Sequence, residues 1–129
     1  MGHGATMTVL MLGRQLELGY YRAEFLKSHG IRVIFPEKRA AAISAIKTGD
    51  FDAVIVSYTL SKETAKELVH LVKQTSADCP IVAITQQSWD LDDFERDETI
   101  LDRSGPQGLI DALIRVEKRK QEQSQIRRD

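Results

Sequence analysis

The chain of 129 residues reads as a doubly wound α/β domain, a parallel sheet covered by helices on both faces. Two observations predict it. Short apolar runs recur along the chain with helical patterns between them, and the runs are continuously apolar rather than alternating, as strands buried on both faces must be. The composition agrees: 42% hydrophobic and 29% charged residues, with 8 Gly and 3 Pro, exclude collagen, coiled coil and intrinsic disorder.

The elements follow in order. Thr8 to Leu12 is an apolar run ending at Gly13 and makes the first strand. Leu18, Tyr21, Phe25 and Leu26 recur at helical spacing, with Tyr21 inward and Tyr20 outward, and Gly30 follows where a helix terminus favours a left-handed residue. Ile31, Val33 and Phe35 form the second strand. Pro36 suits the first turn of a second helix, which Ala40, Ile43 and Ile46 or Lys47 continue and Gly49 closes. The run from Ala53 to Val56 is the third strand. Ser61 then caps a helix with Ala65, Leu68, Val69 and Val72 on one face. Ile81 to Ile84, after Pro80, is the fourth strand and Ile100-Leu101 a weaker fifth. Pro106 opens a last helix carrying Leu109, Ile110, Leu113 and Val116 inward. Residues 1–7 read as a flexible leader, 8–120 as one domain, and 121–129 as a polar basic tail, either disordered or extending the last helix.

Cysteine and charge narrow the function classes. The lone Cys79 has no partner for an internal disulfide or a zinc pattern, and no run is long and apolar enough to span a membrane, so a cytoplasmic protein without metal or cofactor is expected. Cys79 lacks a basic neighbour and reads as a small packing residue rather than a reactive thiol. The net charge of −1 conceals a body of −4 and a segment from Arg115 onward of +3. That basic segment has no aromatic residue to stack on a base and reads as a solvated helix end rather than a nucleic-acid surface. In a doubly wound sheet the site lies beyond the carboxyl ends of the strands, which points to Gly13–Gln15, Ser57–Thr59, Thr85–Gln87 and Asp102–Ser104.

Three stretches carry a family resemblance: Thr8-Val9-Leu10-Met11-Leu12, Gly49-Asp50-Phe51-Asp52-Ala53-Val54-Ile55-Val56 and Pro80-Ile81-Val82-Ala83-Ile84-Thr85. Together they resemble the receiver domain of response regulators in two-component signalling, from Thr8 to about Lys120. The resemblance implies a five-stranded flavodoxin-like fold of order 2-1-3-4-5. It also implies an aspartate that accepts a phosphoryl group, an acidic pair holding Mg²⁺, and a lysine that contacts the phosphoryl oxygens. Such chemistry needs cations, because nucleophile and phosphoryl group are both anionic.

Position by position, the reactive residues differ. The acceptor falls on Ser57, the acidic pair on Gly13 and Arg14, and the lysine on Asp102, or on Arg103 with a one-residue gap; Thr85 keeps the switch hydroxyl. A serine is a weak nucleophile without a base, and Gly13 with Arg14 offers Mg²⁺ no carboxylate. Asp50 and Asp52 precede the third strand and belong at the other end of the sheet. The exchanged signs at Arg14 and Asp102 suggest an internal ion pair, the alternative being two solvated side chains.

The segment from Gln86 to Thr99 is shorter than the family's, so the fourth helix is expected to be stunted or replaced by a loop. Seven acids lie between Asp90 and Asp102, with Trp89, Leu91 and Phe94 among them. These three side chains are either an exposed partner surface or the core cover that a missing helix would otherwise provide. The expected function is a degenerate receiver-like module acting on a signalling partner, or as a homodimer, without phosphorylation. The alternatives are a small flavodoxin-like nucleotide- or flavin-binding protein and a nucleic-acid binder using the basic tail.

Overall fold

The computed structural model describes residues 7–86 and 94–128. Strand β1 (Thr8–Leu12) leads into helix α1 (Leu16–Ser28), followed by β2 (Arg32–Ile34), α2 (Arg39–Thr48), β3 (Ala53–Ser57), α3 (Lys62–Thr75), β4 (Ile81–Thr85), β5 (Glu98–Leu101), a short 3-10 turn (Asp102–Ser104) and α4 (Gly105–Arg128). All strand pairs are parallel and the order is β2-β1-β3-β4-β5. The expected doubly wound architecture is therefore the observed one.

Parity along the strands builds two core layers. In β1 and β3, Val9, Met11, Ala53 and Ile55 face α1 and α4, where Ala23, Leu26, Leu109 and Leu113 meet them. Their alternates Leu10, Leu12, Val54 and Val56 face α2 and α3, against Ala42, Ile46, Leu68 and Val72. Both faces of these strands are covered, which is why their sequence shows no polar alternation. Cys79 is buried at the foot of β4, and burial pushes its thiol up to about 11, which favours the neutral thiol.

Helix ends follow local chemistry. Ser61 Oγ accepts the Thr64 N–H and caps α3, while Gly49 at φ 74° terminates α2 in the left-handed region. Arg115 and Arg119 of α4 both donate to Glu98 of β5, the former at 2.9 Å. These bonds, that of Arg115 foremost, hold the Glu98 carboxyl below its ordinary value, so two charges of the basic segment serve to pin α4 to the sheet edge.

Two expectations need correction. Helix α2 starts at Arg39, three residues after Pro36, because Lys38 is still extended (φ −124°, ψ 153°) and Glu37 is held by the Tyr20 hydroxyl. Tyr21 is exposed rather than inward. The buried stripe of α1 runs through Gly19, Arg22, Ala23 and Leu26, so a charged residue occupies the inward position that Tyr21 was expected to fill.

Gly19 is where β2 meets α1. A Cβ there would fall inside the Phe35 ring, which packs on the bare backbone and meets Tyr20 edge-on with centroids 5.4 Å apart. Gly19→Ala should gain about 1 kcal/mol of helix propensity but lose about 1–3 kcal/mol to overpacking. Urea denaturation is expected to show net destabilisation, and the same substitution in a Phe35→Leu background is expected to stabilise.

Candidate functional site

Ser57 closes β3 with the parity of Ile55, so its side chain leaves the strand on the α1 side and is 2% exposed. Three donors converge on its Oγ: Arg22 Nη1 at 3.2 Å, the Thr59 N–H at 3.2 Å and the Thr59 hydroxyl at 3.1 Å. The Thr59 hydroxyl in turn accepts the Arg14 N–H at 2.8 Å. The serine oxygen is thus an acceptor in a closed network. A guanidinium has only donors and cannot take the serine proton, so among the described residues none of these partners of Ser57 can activate it as a nucleophile.

Arg22 is the residue that sequence reasoning missed. Its other nitrogen, Nη2, donates to Asp102 Oδ1 at 2.7 Å, with side-chain exposures of 8% for Arg22 and 32% for Asp102. Tyr58 supplies the second contact on Asp102, its hydroxyl donating to Oδ2 at 3.2 Å, and its ring lies 5.8 Å from the Arg22 guanidinium carbon. The carboxylate of Asp102 is therefore paired with Arg22 and not with Arg14. Arg14 follows Leu12 in parity, leaves toward the α2 and α3 side, and lines a different cleft there. The expected pair of Arg14 with Asp102 is not formed; the cation that meets Asp102 comes from α1. Its signal was register, since Arg22 shares the inward face with Gly19, Ala23 and Leu26.

The remaining positions fall at the same end of the sheet. Thr85 ends β4 buried, and with Asp102 it lines a cavity of about 260 Å³. Arg103 is exposed on the 3-10 turn. Asp52 is at the opposite end, where its Oδ2 accepts the Thr8 N–H at 2.8 Å, as its place before β3 requires. Trp89 and Leu91 lie outside the described residues, as does the place of the expected stunted helix. Phe94 is half-buried against the α2 and α3 layer, with the Arg96 guanidinium 5.8 Å from its ring centroid.

These residues do not fit a magnesium ion. The position of the first acid is Gly13, where a Cβ would come within 3.1 Å of Thr59 Oγ1 and 3.2 Å of Ser57 Cβ, so the packing itself resists a side chain. Among the described residues Asp102 supplies the one carboxylate of the network and already faces Arg22, and the guanidinium stands beside Ser57 where a metal would have to neutralise charge. Among the described residues no group of three or more His, Cys, Asp or Glu is placed to hold a metal, and no helix is long and apolar enough to cross a membrane.

No protein-family model matches the chain, and no curated protein does. Solved structures do. A CheY-like response-regulator receiver domain from Methanospirillum hungatei superposes with a TM-score of 0.81 at 12% identity, covering 92% of this chain and 99% of the other. The chemotaxis protein CheY4 of Vibrio cholerae gives 0.76 at 19% identity over 87% and 99%. The receiver domain of a Pseudomonas aeruginosa sensor histidine kinase, solved with magnesium coordinated in its active-site cleft, gives 0.69 at 17% identity over 86% and 97%. The chain has the fold of a response-regulator receiver domain, flavodoxin-like with the order 2-1-3-4-5.

The network has a titration signature. Burial, and then the Asp102 carboxylate, push the Tyr58 phenol above its ordinary value of 10.0, with Arg22 acting in the opposite sense. Folding thus favours the neutral phenol: its contribution is fully present below 10.0 and is lost as the pH rises through the higher folded value. Ultraviolet titration against a Tyr58→Phe reference should show Tyr58 ionising late. Asp102→Asn should bring it down, because the carboxylate's repulsion goes while Arg22 stays; an unchanged titration would contradict the contact.

Proposed function

We propose that this chain is a receiver-type module of two-component signalling that works through protein contacts and without phosphorylation. The observation that carries this reading is the Arg22 guanidinium held between Ser57 and Asp102. A phosphoryl-accepting site must leave its cations facing the incoming group. Here the cation is built into α1 and already satisfied by an internal acid, and the acceptor position carries a hydroxyl with no base. The module is a binding protein rather than an enzyme, and its effect is delivered to a signalling partner or to a second copy of itself. That contact is assigned to the segment around Trp89 and Leu91, since tryptophan is among the residues enriched at partner hot spots, whereas Phe94 packs against the α2 and α3 layer.

Incubation with acetyl phosphate and Mg²⁺ followed by intact-mass measurement is expected to leave the protein unmodified. Ser57→Asp is expected to remain unmodified as well, since the new carboxylate would face Arg22 and the acidic pair would still be missing. Sedimentation of the full chain should give the same mass with and without acetyl phosphate. A stoichiometric adduct at Ser57, or association that depends on acetyl phosphate, would overturn the reading.

A further inference from the structure

A second cleft opens beyond the carboxyl end of β1, on the face away from Arg22, between the segment leading into α2 and the first turns of α3. Its volume is about 310 Å³, the scale of a small-molecule site. The floor is apolar, made by Leu12, Ala42, Leu60 and Leu68, all of them buried. The rim is basic. Arg14 and Lys38 project there from exposed positions, and among the described residues neither side chain has an acidic partner.

Of the other rim charges, Arg39 pairs with Glu67 across the gap between α2 and α3, and Glu37, whose carboxylate accepts the Tyr20 hydroxyl and keeps its charge, is one acid against Arg14 and Lys38. The backbone adds to the positive sign. Helix α2 begins at this cleft with Lys38 as its N-cap, with no side-chain hydrogen bond to its first N–H groups and no acid in its first turn. A rim of net positive charge and the positive end of an uncapped helix thus border an apolar hollow. A neutral apolar ligand would leave the rim unanswered, and a bare inorganic anion would leave the floor empty.

We propose that this cleft binds a small amphipathic organic anion, its apolar body on Leu12, Ala42, Leu60 and Leu68 and its phosphate or carboxylate between Arg14, Lys38 and the start of α2. The site lies on the other face of the sheet from Arg22, touches the Ser57 network only through the Arg14 N–H on Thr59 among the described residues, and gives the module an input that does not pass through phosphorylation. Binding would couple α2 to α3 on the face opposite α1 and α4.

The test is a nuclear magnetic resonance titration of the isotopically labelled full chain with hexyl phosphate, hexanoate, hexanol and inorganic phosphate. Hexyl phosphate or hexanoate should give saturable shifts confined to the amides of Gly13, Lys38 to Ala42 and Leu60, and comparing the two identifies the preferred headgroup. The double variant Arg14→Gln, Lys38→Gln should weaken binding at least about tenfold while leaving the thermal midpoint unchanged, as both side chains are exposed. Failure of both anions to saturate by about 10 mM, a range that covers even weak millimolar binding, would overturn the proposal. So would shifts centred elsewhere, hexanol binding as tightly as hexyl phosphate, or inorganic phosphate doing so.

Discussion

The ion pair between Arg22 and Asp102 is the interaction on which the carboxyl end of the sheet depends. It joins the middle of α1 to the turn after β5, across the ends of β1, β3 and β4, and it brings Ser57 and Tyr58 into one network. Removing a guanidinium from water costs several kcal/mol, and only close, well-directed partners offset that. The two ends are not equivalent. Arg22 is almost wholly enclosed, whereas Asp102 is a third exposed and could turn to water if its partner were lost. Loss of the acid would strand a buried cation; loss of the base would leave a carboxylate that can rehydrate.

This pair stands at the end of a receiver-type fold whose interior is apolar. Its two apolar layers reach the strand ends through Leu12 on one face and Tyr58 on the other, so the ring of Tyr58 packs on the core while its hydroxyl serves the charged network. At Gly13 a Cβ would stand 3.1 Å from Thr59 Oγ1 and 3.2 Å from Ser57 Cβ, so a side chain there would require these neighbours to give by a few tenths of an ångström.

Much of this was legible in the sequence. The central strands were visible because burial on both faces leaves unbroken apolar runs, and α3 because a capping serine precedes a clean apolar stripe. The start of α2 was less legible, since a proline's fixed φ serves an extended segment as well as a first turn, and the Tyr20 to Glu37 contact that decides between them is tertiary. At the site, the unusual residues at positions 13, 14, 57 and 102 could be read from alignment to strand ends, but their partners could not. Parity sends Arg14 to one face of the sheet and Ser57 to the other. Arg22 lies on the buried stripe of α1 with Gly19 and Leu26, and only the packing of that stripe on the sheet brings it to Asp102.

A double-mutant cycle on Arg22→Met and Asp102→Asn, read by chemical denaturation, tests the central claim most directly. A buried, hydrogen-bonded pair predicts a coupling of about 1–3 kcal/mol, with Asp102→Asn alone the more damaging single change. Additive effects of the two substitutions would contradict the pair.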